Sequence, residues 1–527
     1  MSFDTDKDLF QQEHFTVIEV DLPWIITCTK IGEDPAYNTP PTCKETWDGV
    51  TVKTYYFATD NVPLDYGAPA SSAGLPADVI QIYDPIHPNI MGLSEQSSEL
   101  RPGEGLAIQG SLRVTLQDFK ADPGPGPGDA KTDGTTEFGT YMGKLNARNI
   151  LQNKAIRIKY FHKHKFFESN RGIYAESDAE THHFIIEDLK NNGNGTWTLS
   201  AKDELARMDK NTSQFPPPLG DELRSELQDG VNDRTVEMDG TAAFWNAFTI
   251  PFVIKIGEEF MSVSSVTGPD GGIELEVNDR GEDISISVDG QFITRTVKDT
   301  HDAGDWAQVC VINQYGSGGQ GSATDTTNIA RFLRGVLILG TGIDENGIPV
   351  ENGIGGVDPA RIPLADWEAE VEEWHTSTSL HTVWHEPTSP NDTLKRILND
   401  YLMDMWFDPI SRTIKLSAIS VWKNTDVELR EGQGIDYNSL RLAQDDSIRL
   451  TRAYVYYDKK FKSRDDAFEN FHEMSVYKDP ILEADGFFGE PKAKEFSPSH
   501  VLSKTDADLL VQRTVSRFGK TPFRYSW

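Results

Sequence analysis

The residues best equipped for metal chemistry lie between positions 375 and 386. His375, His381, His385 and Glu386 stand close together in the chain. His381 and His385 are four apart, which on a helix would put both imidazoles on one face. A zincin also needs a glutamate directly after the first histidine, as general base. Position 382 is Thr instead, and Glu386 follows the second histidine. The neighbouring Thr376-Ser-Thr-Ser379 and Pro387 suit a strand or loop better than a helix. The stretch reads as polar surface and satisfied packing.

A second group is His162, His164, His182 and His183. On a strand His162 and His164 share a face and can meet His182 or His183 across a sheet. No cysteine or carboxylate stands at metal spacing beside them, so a basic strand face with Lys163 and Lys165 is the expectation. Cys28 and Cys43 supply at most half of a metal or iron–sulfur site, with Cys310 far along the chain. Free thiols are the simpler reading. The chain has no Gly-x-Ser-x-Gly elbow, no Walker loop and no Gly-x-Gly-x-x-Gly opening a helix after a strand. With 83 acidic residues, no glycosidase pair of carboxylates stands out. No residue is assigned a catalytic, cofactor-binding or metal role.

The elements that would carry these residues follow from composition and periodicity. The chain has 527 residues, enough for several domains. Its 50 basic and 83 acidic residues give a net charge of −33, which argues against a general nucleic-acid binder. A 37% hydrophobic and 10% aromatic content supports a large packed core. No basic-then-apolar leader and no run of about 20 apolar residues is present. Three cysteines are too few for a disulfide framework, so folding in a reducing cytoplasm is expected.

Alternation with period two dominates: Leu112, Val114 and Leu116; Ile156, Ile158 and Tyr160; Phe184 and Ile186; Trp197, Leu199 and Ala201. Asn191-Asn-Gly-Asn-Gly195 predicts a hairpin turn. Residues 106–203 therefore predict a β-barrel or sandwich, interrupted by the exposed loop Asp122-Pro-Gly-Pro-Gly-Pro-Gly-Asp129. Phe215-Pro-Pro-Pro-Leu-Gly220 predicts a stiff break. Short strands follow at 252–256, 260–266, 273–277, 284–288 and 309–312, then a flexible link at 316–322. Leu394, Ile397, Leu398, Tyr401, Leu402 and Met405 form one apolar helical stripe, with Ser389 as cap, Pro390 at the first helical position and Asp392 in the first turn. Trp406-Phe-Asp-Pro409 is expected to end that helix, and Thr413–Ile419 to be a strand. A strand at 453–457, an acidic–basic loop at 458–470 and a capped helix near 505–517 complete the chain.

The expected fold is mainly β and multidomain, with β-barrel domains and a smaller α/β domain. The divisions are 1–105 (N-terminal loop- and strand-rich segment), 106–215 (first barrel), 216–322 (inserted small β-barrel), 323–425 (mixed α/β) and 426–527 (return strands and C-terminal helix).

Several segments together resemble the tail-tip, or baseplate hub, proteins of long-tailed, siphovirus-type bacteriophages. Pro102-Gly-Glu-Gly-Leu-Ala107, Val114-Thr-Leu-Gln-Asp-Phe119 and Gly139-Thr-Tyr-Met-Gly-Lys-Leu-Asn-Ala-Arg-Asn149 resemble the hub's glycine-rich lead, Thr-x-x-Asp strand and Gly-Lys-x-x-Ala-Arg-Asn turn. Ser200-Ala-Lys-Asp-Glu-Leu-Ala206, ahead of Phe215-Pro-Pro-Pro218, is similar to the strand that closes the first hub barrel. Ile256-Gly-Glu-Glu-Phe-Met-Ser-Val263 and Arg295–Asp305 resemble a small inserted barrel, and Leu450–Tyr457 the strand that returns to the hub ring. The segments keep the family's order. Some relatives have more cysteines in the N-terminal segment, where this chain has Cys28 and Cys43.

The resemblance implies a homotrimeric, non-enzymatic virion protein that closes the tail tube, assembled in the host bacterial cytoplasm. Its implied partners are the tail tube, the distal tail protein, the tape-measure protein and a receptor-binding or central fibre protein. It implies a role in host attachment and genome ejection. No cofactor, stable nucleic-acid binding or membrane segment is expected. Acidic stretches at Asp221–Glu226 and Glu368–Glu373 would suit a lumen that repels DNA phosphates. Two rivals differ in class: a hub with cell-wall hydrolase activity, and a carbohydrate-binding tail adhesin using Trp367, Trp374 and Trp384. Core packing is the simpler reading of those tryptophans.

Overall fold

The computed structural model describes residues 14–25, 47–60, 80–96, 105–120, 140–162, 179–208, 214–313, 328–339, 357–419, 430–444 and 449–526, apart from short breaks within these ranges. The fold is mainly β and has more than one domain. Two compact units divide it. Unit 1 comprises Met1–Glu99, Ile108–Ala206 and Phe407–Thr413; unit 2 comprises Leu100–Ala107, Arg207–Trp406 and Ile414–Trp527. Cys28, Cys43, His164, His381, the Pro-Gly loop at 122–133 and the link at 316–322 lie outside the described residues.

Unit 1 is built on strands β1 (His14–Ile25), β2 (Trp47–Ala58), β3 (Ile80–His87), β4 (Ile90–Gln96), β5 (Ser111–Gln117), β6 (Ala155–His162), β7 (Glu180–Asn191) and β8 (Thr196–Lys202). They form one sheet in the order β3-β2-β1-β6-β7-β8-β5-β4. It draws strands from both 1–105 and 106–215, which the sequence reading kept apart. Two residues separate His87 at the end of β3 from Ile90 at the start of β4. That gap spans at most ~11 Å, whereas seven strand spacings laid flat would span ~34 Å. The sheet therefore curls into an open barrel. Its interior cluster takes Ile18 and Val20, Tyr55 and Phe57, Ile90, Leu112 to Leu116, Ile156 and Ile158, Phe184 and Ile186, and Trp197 to Ala201. Those at 112, 114 and 116, 156 and 158, 184 and 186, and 197, 199 and 201 are the alternate positions picked out by period two. The predicted hairpin turn is present: Asn192 N–H donates to Thr196 O at 3.0 Å, and Gly193 and Gly195 both have φ 77. That left-handed conformation favours glycine.

Helix α1 (Tyr141–Arg148) stands where the sequence suggested a turn. It forms because its first N–H groups find acceptors, as described below.

Unit 2 begins with a second sheet. Its strands are β9 (Gly220–Glu222), β10 (Thr235–Met238), β11 (Phe252–Ile256), β12 (Glu259–Thr267), β13 (Ile273–Val277), β16 (Trp306–Asn313) and β17 (Thr382–Trp384), with β14 (Ile284–Ser285) and β15 (Phe292–Thr294) forming a separate hairpin. The expected strands at 252–256, 260–266, 273–277 and 309–312 are all present; of 284–288 only the first two residues are described as strand. One face packs Met238, Trp245, Ile254, Met261, Leu275 and Val309. The other packs Val253, Phe260, Cys310 and Val383. Burial on both faces explains the unbroken apolar run at 252–254.

Helices α2 (Ala242–Asn246), α3 (Ile329–Leu339), α4 (Leu364–His375) and α5 (Pro390–Asp400) follow in chain order. Ser389 is the residue before α5 and Pro390 opens it, as expected, but the Ser389 hydroxyl donates to Met208 O at 3.1 Å and caps nothing. The helix ends at Asp400, earlier than its apolar stripe suggested. Leu402 has φ 52, and Met403–Asp408 is strand β18, hairpinned to β19 (Thr413–Ala418). Tyr401, Leu402 and Met405 are buried as the stripe required, but from a turn and a strand. Four short strands, β20 (Arg430–Glu431), β21 (Gly434–Ile435), β22 (Arg441–Gln444) and β26 (Phe523–Ser526), pair as β20–β21 and β22–β26. A three-stranded sheet of β23 (Arg452–Lys459), β24 (Phe471–Lys478) and β25 (Ala493–Phe496) is covered by helix α6 (Lys504–Phe518). Ser503 caps α6 by accepting from Asp506 N–H at 3.1 Å.

Candidate functional site

The hub-like segments turn into hydrogen-bonding nodes. Asp118, the acid of the Thr-x-x-Asp strand, leaves β5 at its end. Its Oδ1 accepts from Phe119 N–H at 3.0 Å and from Met142 N–H at 3.1 Å in the first turn of α1. Its Oδ2 accepts from the Trp197 indole at 2.8 Å. Tyr141 N–H donates to Phe119 O at 2.9 Å. Free N–H groups and the positive end of the dipole make a helix start a good place for such a carboxylate. One side chain thus ties a strand, a helix and the neighbouring β8.

Asp203 does the same at the other end of the motif series. Its Oδ2 accepts from Gly110 N–H at 2.6 Å and its Oδ1 from Leu205 N–H at 3.1 Å, while Asp203 N–H donates to Gly110 O at 3.1 Å. Residue 203 is 1% exposed, so these bonds are made away from water and are expensive to lose.

The third node joins the two stretches that resemble an inserted barrel. Glu259, at the start of β12, is fully buried. Its carboxylate receives Arg280 Nε at 3.0 Å and Arg280 NH2 at 2.7 Å, His301 Nε2 at 2.9 Å and Asp299 N–H at 3.2 Å. Arg280 also donates to Gln228 O and Asp299 O. Burial alone would push the Glu259 carboxyl up. The hydrogen bonds from His301 and Arg280, with the arginine charge, outweigh it and hold the carboxyl below its ordinary range.

Among the described residues, the histidines flagged for metal chemistry do not assemble. His375 ends α4, buried, with Nδ1 at 2.8 Å from an Arg513 NH1 and its ring edge-on to Tyr401. Burial and the arginine charge push its pKa down to about 3. The His385 ring packs edge-on to Phe260. Among the described residues no group of three or more His, Cys, Asp or Glu is arranged to hold a metal.

His182 lies on the inner face of the barrel, opposite the core residue Ile158. Its ring nitrogens meet Glu95 Oε1 at 2.5 Å and Glu180 Oε1 at 2.8 Å, and Tyr160 donates to Glu95. Sequence reasoning gave this ring a basic strand face; it sits between two carboxylates because Glu95, on β4, reaches it across the barrel. Burial works against the charged ring, but the hydrogen bonds and charges of Glu180 and Glu95 raise its pKa to about 9.

Of the three tryptophans of the adhesin reading, Trp367 is buried and Trp374 and Trp384 are half-buried. Trp367 is 1% exposed and donates its indole N–H to Ile414 O at 3.0 Å. Trp384 stacks on Phe332 at 5.1 Å, and the Trp374 indole nitrogen is buried. Cys310 is a buried free thiol, its pKa pushed up by burial. Of the acidic stretches, Glu368 pairs with Arg331 at 2.6 Å and Glu370 accepts from Ala418 N–H at 2.6 Å, whereas Glu222 and Glu226 are exposed.

Sequence reasoning missed the Glu259–Arg280–His301 node, because charged residues in a polar stretch carry no periodic signal. It also missed Asp400, although a carboxylate at a helix C-terminus, facing the negative end of the dipole, is an anomaly visible in sequence.

No family model matches the sequence, and no curated protein does. Solved structures do. A chain from the virion of a native gene transfer agent particle matches at 10% identity and TM-score 0.19, over 56% of this chain and 79% of that one. The prophage tail protein gp18 from Listeria monocytogenes EGD-e matches at 8% identity and TM-score 0.24, over 79% of this chain and 69% of that one. Among the described residues no helix is long and apolar enough to cross a membrane.

Proposed function

We propose that this chain is a structural protein of a phage-type tail, the hub that closes the tube at its tip. One observation carries the reading: the hub-like segments occur in the family's order, and their distinctive polar residues are the ones that tie the fold together. Asp118, Asp203 and Glu259 each lie in such a segment, and each holds backbone or side-chain donors from another part of the chain. Two β units of this kind per chain, three chains per ring, would present six similar faces to a sixfold tube and three to a fibre. In this reading the chain meets the tail tube, distal tail protein, tape-measure protein and a central or receptor-binding fibre, and has no catalytic step of its own. A net charge of −33 suits a channel through which DNA passes without sticking.

The test is assembly. Mass measurement of the purified chain and image reconstruction of tails carrying it should show a threefold ring at the tail tip. A protein that stays monomeric inside an intact tail overturns the proposal. Clear lysis of host peptidoglycan by the purified chain would move it to the hydrolase class.

A further inference from the structure

Asp400 breaks a local rule. It is the last residue of α5, where the helix dipole favours a cation, and that last turn contains no basic residue. Its side chain is only 14% exposed, and its Oδ2 is buried and takes no hydrogen bond. That oxygen lies 3.6 Å from His500 Nε2, and His500 is fully buried. The Tyr401 ring tilts against the His500 ring at 5.1 Å. Asp400 is thus a carboxylate with its solvent stripped away, at the wrong end of a helix, beside one titratable ring.

We propose that Asp400 and His500 hold one proton between them, and that this proton latches the end of α5 to the segment joining β25 to α6. With the proton present the pair is either a neutral acid and imidazole or an ion pair, and no net charge is buried. Without it a lone carboxylate remains at the negative end of α5, and the segment carrying His500 opens more readily.

The surroundings fix the sign. Burial is the largest influence on Asp400; Arg396 on its own helix and Lys494 on β25 pull its pKa down, while Asp466 pushes it up. The result is about 7. Arg396 is already paired with Asp466 at 3.1 Å, and the Lys494 ammonium lies over the Phe496 ring at 4.6 Å. From α6, Asp506 bears on Tyr401, and Arg513 is engaged with His375. Because the folded pKa is raised above 3.8, the stabilisation is complete in acid and is lost as pH rises to about 7. The layer of α6 on β23–β25 should therefore loosen from acid to mild alkali.

The experiment is hydrogen exchange of the full chain, read in peptides covering 493–518, at pH 5 and pH 8. Comparing each variant with wild type at one pH cancels the intrinsic chemistry of exchange. Asp400→Asn keeps the shape and needs no proton. Its exchange relative to wild type should slow about a hundredfold between pH 5 and pH 8, one tenfold step for each pH unit from 5 up to the pKa of about 7. His500→Gln donates permanently to the carboxylate and should likewise lose the difference between the two pH values. If either variant, folded by circular dichroism, keeps the wild-type pH profile in these peptides, the proposal fails. The outcome is independent of ring assembly, so it stands or falls apart from the tail-hub reading.

Discussion

Glu259 and Arg280 face each other through two contacts, Nε to Oε1 at 3.0 Å and NH2 to Oε2 at 2.7 Å, with both side chains at or below 1% exposure. A buried pair of this kind adds little net stability compared with an apolar pair, but removing one partner strands the other charge. Arg280→Met is expected to destabilise the second β unit by about 3–5 kcal/mol, read by denaturant unfolding. The pH dependence follows from the lowered Glu259 pKa: its contribution is present above the ordinary carboxylate range and is lost as pH falls below it. A variant indistinguishable from wild type would show that the node does not hold this unit together.

Asp118 is expected to be worth more than an ordinary surface carboxylate. Asp118→Ala removes an acceptor from Phe119, Met142 and Trp197 together. A loss of about 1–3 kcal/mol follows from the helix start and the stranded indole. Thermal melts should show it, and tryptophan fluorescence should shift as the Trp197 environment opens.

His182 gives unit 1 an alkaline limit. Its pKa is raised to about 9, so its contribution is fully present below about 6.5 and is lost as pH rises through 9. The stability difference between wild type and His182→Gln should shrink between pH 7 and pH 10, by up to about 3 kcal/mol. A difference constant over that range would mean that the ring is uncharged in the barrel.

The loop at 122–133 is expected to be dispensable for folding. Lys120 and Thr140 form an antiparallel bridge, and Tyr141 bonds to Phe119, so the two ends of the connection are held together without it. Excising Asp122–Asp133 leaves Ala121 and Gly134–Gly139 to close the connection. Loop entropy alone changes stability by under about 1 kcal/mol. A shortened chain that melts like wild type supports this; one that cannot fold places the segment in the core.

Much of the fold was written in local pattern. Period-two alternation over Leu112–Leu116 and Ile156–Ile158 determined strands with one buried face, because a strand turns every second side chain to the same side. Asn191–Gly195 determined a hairpin, because its glycines adopt the left-handed backbone a tight turn needs. Ser503 and the apolar positions after it located α6. Pattern failed where neighbours in space decided. The stripe from Leu394 to Met405 was read as one helix, yet the chain turns at Leu402, and β18 pairs with β19 to bury the same side chains from a strand. Gly139–Asn149 looked like a turn until Asp118, more than twenty residues earlier, supplied an acceptor for the start of α1.

The sequence by itself determined a mainly β, multidomain, strongly acidic chain with an ordered set of hub-like segments. Those properties are local or additive: alternation, turn chemistry and charge are sums over neighbours in the chain. Only the tertiary structure decided that His182 sits between Glu95 and Glu180, that Glu259 gathers Arg280 and His301, and that Asp400 shares a buried corner with His500. Each of these charges is set by desolvation and by partners between 2 and 100 residues away, and that distance in sequence carries no periodic signal of contact.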